Sequence, residues 1–356
     1  MLYALPLLMS CGLSAAGVWW ALRHSGSAFG AARLTALISL VLLLLLSRWP
    51  AFNLALGQTL AGAWGEDTRL ISSQNLIWLG FAYFILRLLS LLLEAQGPHP
   101  QMRGGEFLLY AFFPLTWLAG PIDRPGRFVA NWRARAGLSP ERFGEGGGRI
   151  ALGLGKKFIL ADSLALIALS PSLAADVEGP AGAWLILYAY AWRLYWDFSG
   201  YSDIVIGLGK WAGLDLPENF ASPYAQTNLA AFWSRWHMSL TDWFRAHVFL
   251  PLTRALLRRK WPLSEFLAGQ LITMLLIGAW HGITPPFLLW GVWHALGLYG
   301  YHLWSNWSRP WAGRGGILGR LAAWAITFHY VCLGWVFFAL PDLDSIRAFM
   351  PKLLGG

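Results

Sequence analysis

The chain has 356 residues, 56% of them hydrophobic and only 13% charged, with a formal net charge of +9. A soluble domain carries about 25% charged residues, so a single globular core in water, a disordered chain and a disulfide scaffold are excluded, and a polytopic integral membrane protein is expected. The positive charge sits in a few loops between apolar runs, where the positive-inside rule accounts for it, and no nucleic-acid partner is expected.

A helix needs roughly 20 apolar residues to cross a bilayer. The first such run, 2–22, contains Leu8-Met9-Ser10-Cys11, which loosely mimics a lipoprotein cleavage site. No Lys or Arg precedes it, so it reads as an uncleaved first span. Arg23 and Arg33 follow, which puts their loop in the cytoplasm and the N-terminus outside. The runs 34–48, unbroken from Leu42 to Leu46, and 70–93 are the next spans. Segment 106–120 is short and interrupted by Pro114 and Gly120. Simple alternation does not accommodate it, and it is expected not to cross fully. Loop 122–157 carries Arg124, Arg127, Arg133, Arg135, Arg142, Arg149, Lys156 and Lys157 and is placed in the cytoplasm.

Beyond it come 158–175, 182–198 and 202–214, then the basic stretch Arg254, Arg258, Arg259 and Lys260. The runs 264–281 and 284–304 follow, then a third basic loop with Arg309, Arg314 and Arg320, and finally the run 318–340. The expected fold is an all-α polytopic membrane protein of about nine to eleven transmembrane helices. Some segments are expected to be re-entrant or interfacial, where protein or a wet cavity surrounds irregular backbone. No repeat, linker or soluble domain is visible, so residues 1–356 read as a single membrane domain. Its 39 glycines and 19 prolines suit broken, closely packed helices. Cys11 and Cys332 lie far apart inside apolar runs and frame neither a disulfide nor a metal site.

Polar residues inside apolar segments are costly and mark a site or a pathway. They concentrate in 192–245, from Trp196-Asp197-Phe198-Ser199-Gly200-Tyr201-Ser202-Asp203 through Pro217-Glu218-Asn219-Phe220 to Phe232-Trp233-Ser234-Arg235-Trp236-His237-Met238-Ser239. A second cluster, 278–294, holds Trp280-His281-Gly282 and His294. His281 ends a nearly uncharged apolar run. An imidazole accepts a proton near neutrality, and a base in an apolar site fits these residues as well as a structural histidine bonded to a neighbouring helix. Gly278 and Gly282 would let a substrate approach the backbone. For His237, a surface-facing interfacial position is the stronger reading of the residues alone, since Arg235 and Arg245 lie nearby. His24, His99, His247, His302 and His329 read as loop, interface or packing residues. Gly209 and Gly213 read as a helix-packing pair. Gly153-Leu154-Gly155-Lys156 shares part of the phosphate-loop pattern but lacks the first glycine and the hydroxyl residue after lysine. Neither a His-Glu-x-x-His pair nor a Gly-x-Ser-x-Gly elbow is present.

The combination of Phe232-Trp233-Ser234-Arg235-Trp236-His237-Met238-Ser239-Leu240 with Trp280-His281-Gly282 resembles the membrane-bound O-acyltransferase (MBOAT) family. Ala119-Gly120-Pro121-Ile122-Asp123-Arg124, Asp197-Phe198-Ser199-Gly200-Tyr201-Ser202-Asp203, Pro217-Glu218-Asn219-Phe220 and Gly334-Trp335-Val336-Phe337-Phe338 support it in order, over about residues 70–345. Two bacterial branches compete: D-alanyl transfer in teichoic-acid D-alanylation, and alginate-type polysaccharide O-acetylation. The acetyl branch tends to carry a Pro-Leu-Gly-Gly turn, and here the chain reads Pro251-Leu252-Thr253-Arg254. Gly120-Pro121-Ile122-Asp123-Arg124 and Trp243-Phe244-Arg245 are more similar to the D-alanyl branch.

The resemblance implies acyl transfer from a thioester to a hydroxyl at a central funnel in the bacterial inner membrane, with His281 as general base and His237 in support. The two are 44 residues apart, so different helices would have to bring them together. Substrate contacts are expected from Trp280, Trp236, Arg235, Ser239, Asn228 and Asp197. Arg254, Arg258, Arg259 and Lys260 would meet an acyl-carrier protein. No permanent cofactor is implied; the donor would be the phosphopantetheine thioester of that carrier, or acyl-CoA. An extracytoplasmic acyl-relay protein or small membrane peptide would take the acyl group. A secondary transporter would share the broken helices and buried polar residues, but its repeated halves are not seen.

Overall fold

A computed structural model describes residues 5–23, 27–65, 67–68, 72, 78–94, 102–259, 265–308 and 316–356. Lys260, His24, His99, Arg309, Arg314 and most of 70–77 lie outside the described residues. All regular structure among the described residues is helical. They fall into two compact units, Met1–Phe143 with Leu208–Pro217 and Trp280–Thr284, and Gly144–Gly207 with Glu218–Ala279 and Pro285–Gly356.

The first unit contains α1 (Leu5–Arg23), α2 (Ser27–Ser47), α3 (Pro50–Ala63), α4 (Phe81–Glu94), α5 (Gly104–Ala111) and α6 (Pro125–Arg133). On α2, Leu34, Ile38 and Leu42 are exposed at four-residue spacing, while Leu40, Leu44 and Ser47 are buried. Beyond Arg33 near its start the helix carries no charge, and leucines on an outward face of that kind are stable only against lipid. In contrast, every residue of α4 from Phe81 to Leu92 is buried, as expected of a helix apolar on all sides.

One charge interrupts α4. Arg87, 2% exposed, donates from Nη2 to the Thr116 carbonyl at 2.5 Å and from Nη1 to the Ala111 carbonyl at 3.1 Å. Its Nη1 also reaches the carbonyls of Tyr110 and Phe113 at 3.5 Å. The last carbonyls of a helix have no internal partner, and Arg87 supplies one where α5 stops. The eight residues of α5 span only about 12 Å, so the segment 106–120 does not cross as a helix. Its start is pinned as well: Glu106 accepts from the Arg133 guanidinium twice at 2.8 Å and from the Arg103 amide at 2.8 Å. Those bonds, Arg133 first, hold its carboxyl down at about 2. Asp123, from the Gly-Pro-Ile-Asp-Arg motif, is buried and accepts from the Arg127 Nε at 2.6 Å and the Arg124 amide at 2.8 Å.

The second unit contains α7 (Pro140–Leu154), α8 (Asp162–Ala165), α9 (Pro171–Asp176), α10 (Gly179–Trp211), α11 (Leu229–Trp233), α12 (Met238–Phe244), α13 (Leu250–Arg258), α14 (Glu265–His281), α15 (Pro285–Trp307), α16 (Gly316–Ala339) and α17 (Leu343–Phe349). The ends of α7, α10 and α14 pass into the first unit. A π-helical stretch, Gly155–Ala161, joins α7 to α8, so the run expected from 158 is the continuation of a helix that begins at Pro140. The separate runs 182–198 and 202–214 are one helix, α10, of 33 residues. Gly200 does not break it because the glycine is needed there for packing. A Cβ at Gly153 would lie 2.6 Å from the Gly200 carbonyl oxygen, and one at Gly207 would lie 2.6 Å from that of Gly146. Two glycines seven residues apart on each helix thus bring α7 and α10 together backbone to backbone.

Charge pairs complete that contact. Asp203, buried between the two glycine contacts, accepts from Arg149 at 2.8 Å and Lys156 at 2.6 Å. Arg149 also reaches Glu218 at 2.6 Å, and Lys157 pairs with Asp197. Gly213, read from sequence as half of a helix-packing pair, ends α10: its φ is +77°, the Leu214 amide donates back to the Gly209 carbonyl at 2.8 Å, and a Cβ there would meet the carbonyl of Ala136 in a loop, not a helix. That left-handed turn is the usual glycine helix stop.

Gly153→Ala places a methyl against a carbonyl that cannot yield, and is expected to cost about 1–3 kcal/mol. Gly148→Ala, on the same helix but with open space at its Cβ, should be neutral or slightly stabilising. Thermal unfolding of the two purified variants in one detergent checks the contrast.

Candidate active site

In the second unit, the chain between α11 and α12 makes a turn at His237. The residue has φ 44° and ψ 53°, a left-handed conformation that costs an ordinary L-residue about 1–2 kcal/mol. It is 4% exposed, so the sequence-level option of a surface-facing histidine is overturned. Its ring meets Phe198 of α10 edge-on, with centroids 4.7 Å apart and planes at 88°. The His237 carbonyl accepts from the amides of Leu240 and Thr241 at 3.0 Å, which starts α12.

The turn is held by the segment 219–221. The Met238 amide donates to the Asn219 carbonyl at 2.9 Å, and the Ala221 amide to the Arg235 carbonyl at 3.1 Å. Asn219 is 0% exposed. Its Oδ1 accepts from the Ser239 Oγ at 2.7 Å and the Ser239 amide at 3.3 Å, and its Nδ2 donates to the Ser202 Oγ at 3.4 Å. Phe220 packs edge-on against Phe198 and Trp236, at 5.1 and 5.2 Å.

Of the other sequence-derived candidates of this unit, Arg235, Asn228, Ser239 and Asp197 have polar side-chain atoms bonded within the protein. Trp236 lies in an aromatic cluster with Tyr224, Phe232 and Trp335, with centroids 5.0–5.6 Å away. Arg235 donates to the Gln226 Oε1 at 2.6 Å. The Asn228 Oδ1 caps α11 by accepting from the Ala231 amide at 2.7 Å. Ser239 is bonded to Asn219, and Asp197 to Lys157. Arg254, Arg258 and Arg259 are exposed on and just after α13; Lys260 lies outside the described residues.

His281 belongs to the first unit and is the last residue of α14. It is half-buried and meets the Trp280 ring edge-on at 4.7 Å. Trp280 is buried, packs edge-on against Tyr83 at 5.2 Å and lies under the Arg48 guanidinium at 5.9 Å. The Ile283 amide donates to the Arg48 carbonyl at 3.0 Å, which fastens the chain just beyond the histidine to the start of α3. Gly278, read as an opening for substrate, instead lies against the Phe287 carbonyl of α15; a Cβ at Gly291 would likewise sit 2.6 Å from the Met274 carbonyl. Its missing side chain serves helix packing.

The remaining histidines separate clearly. His329 is bonded at both nitrogens, to the Tyr188 hydroxyl and the Ala325 carbonyl, each at 2.7 Å. His302 stacks on Phe266 at 4.1 Å, and His247 packs on Trp243 at 5.0 Å. His294 had no role assigned from sequence. It is fully buried between Trp233 and Trp290, and neither ring nitrogen has a hydrogen-bond partner among the described residues. The available signal was an ionisable residue in an apolar helix. Among the described residues, no group of three or more His, Cys, Asp or Glu is placed to hold a metal ion.

The membrane-bound O-acyltransferase family matches residues 28–340. A teichoic acid D-alanyltransferase of Bacillus subtilis is 32% identical over 278 residues, covering 74% of this chain and 69% of the relative. A probable alginate O-acetylase of Pseudomonas syringae is 32% identical over 276 residues, covering 77% of this chain and 51% of the relative. A peptidoglycan O-acetyltransferase of Helicobacter pylori is 28% identical over 349 residues, covering 86% and 64%. The chain thus spans about half the length of the alginate relative and about two thirds of the other two.

The left-handed backbone at residue 237 gives a test of the turn. His237→Gly is expected to be more stable than His237→Ala by about 1 kcal/mol, because glycine adopts this conformation without a Cβ penalty. Thermal unfolding of the two variants reads the order directly; alanine equal to or above glycine would contradict the turn.

Proposed function

The chain belongs to the membrane-bound O-acyltransferase family, and from that premise we propose that it moves a D-alanyl group from a carrier-protein thioester to a hydroxyl of a cell-envelope polymer or relay partner. The observation that carries the reading is Trp280-His281 at the end of α14, in a chain whose family match runs from residue 28 to 340. An O-acetyltransferase of an exported polysaccharide is the second reading, supported by the alginate O-acetylase match over 77% of this chain.

The chemistry requires a base. A neutral alcohol attacks a thioester slowly unless its proton is removed as the new bond forms. The His281 imidazole takes the proton of the acceptor hydroxyl while the hydroxyl oxygen bonds to the thioester carbon. The tetrahedral intermediate then collapses, the carbon–sulfur bond breaks, and the imidazolium returns its proton to the departing thiolate. The last carbonyls of α14 present partial negative charge at the helix end, which suits a ring that becomes positive during the step. His237 supports the reaction by orienting the acceptor hydroxyl or polarising the thioester carbonyl. No resident cofactor takes part; the phosphopantetheine thioester, or acyl-CoA, is substrate.

The exposed Arg254, Arg258 and Arg259 suit docking of an acidic carrier protein from the cytoplasmic side, with the N-terminus outside. A relay protein or small membrane peptide would receive the acyl group on the other side of the bacterial inner membrane. Uptake of free solute without covalent transfer would instead mark a transporter.

His281→Ala, purified and folded, is expected to lose at least about 10²-fold in turnover with labelled D-alanyl-carrier as donor, the range typical of a missing general base. Wild-type turnover in that variant would remove His281 as the base. Presenting acetyl and D-alanyl thioesters side by side to the wild-type protein separates the two readings of the acyl group.

A further inference from the structure

We infer that Asn219 is the positioning residue of the His237 imidazole, tying the backbone on which that ring is mounted to α10. The inference rests on the reading that His237 serves the transfer. Asn219 sends three separate groups in two directions. Its carbonyl and Oδ1 receive the Met238 amide, the Ser239 amide and the Ser239 hydroxyl, on the two residues that follow His237. Its Nδ2 reaches Ser202 on α10. Ser202 lies four residues after Phe198, so the two share one face of that helix. Phe198 is the residue whose ring meets the His237 imidazole. The ring and its backbone are therefore referenced to the same helix face, the ring through Phe198 and the backbone through Asn219.

This clamp is needed because the turn is strained. At φ 44° the His237 backbone relaxes toward ordinary conformations unless its neighbours fix it, and such a relaxation swings the imidazole away. A buried asparagine also suits the surroundings: it supplies acceptors to Ser239 and a donor to Ser202 without introducing a charge.

The experiment is a four-corner cycle of kcat and KM for acyl transfer from a labelled thioester donor, using the full-length protein, Asn219→Ala, His237→Ala and the double variant. A displaced catalytic group costs about 10²-fold, so Asn219→Ala is expected to lower kcat by about 10- to 100-fold with KM within about threefold. In the His237→Ala background, adding Asn219→Ala should change kcat by less than about twofold, since residues acting as a unit are non-additive. Asn219→Asp keeps the acceptor for Ser239 and should recover about tenfold over alanine. Equal losses in both backgrounds, or wild-type kcat in Asn219→Ala, overturn the positioning role. Wild-type kcat in His237→Ala overturns the role of His237 itself, which is a separate failure. Should an alanine variant lack turnover or fail to fold, Ser202→Ala decides. It cuts only the tether to α10 and is expected to lower kcat by about three- to tenfold, the worth of one neutral hydrogen bond; unchanged kcat there overturns the inference.

Discussion

The second unit is organised by a close approach of two helix backbones. Glycines on α7 and α10 let the two helices meet carbonyl to Cα, and this spacing decides which other groups can pair. With the backbones so close, Arg149 and Lys156 reach Asp203, and Lys157 reaches Asp197. Charges that would be costly in lipid are neutralised within the protein. The same helix then presents Phe198 and Ser202 to the turn that carries His237. The pair of helices and the turn are thus linked through Phe198 and Ser202.

The sequence was informative where a signal is local. Apolar runs foretold most of the helices, and 106–120 could be recognised as too broken to cross. The Trp280-His281 and Trp236-His237 motifs point to the family on their own. It was silent where the reason is a partner far along the chain. Gly200 looked like a break in a span because its neighbour, Gly153, lies 47 residues away. Gly213 looked like packing because a helix stop and a packing glycine share the same letter. Asn219 was visible only as part of a motif, since nothing local reveals bonds to Ser202 and Ser239. Asn228, Arg235 and Asp197 were reasonable as substrate contacts, but their polar atoms make structural bonds.

The two histidines differ in how the backbone delivers them. His281 ends a regular helix, and its neighbour Trp280 is wedged among Tyr83 and Arg48. His237 precedes a helix in a conformation that its own chemistry does not favour. A residue at a helix end tolerates small shifts by fraying, whereas a strained turn has one acceptable arrangement. The supporting hydrogen bonds are correspondingly dense around His237, where strain has to be opposed.

Arg87 carries a consequence for how this chain lives in a bilayer. Its guanidinium gathers carbonyls from Tyr110 to Thr116, so the peptide groups where α5 gives out look inward to a cation instead of outward to hydrocarbon. A short helix can then end inside the protein with its last peptide groups satisfied. Only a planar, permanently charged fork has enough donors to serve so many oxygens at once. The cost of one cation inside an otherwise greasy helix is offset by the peptide oxygens it satisfies.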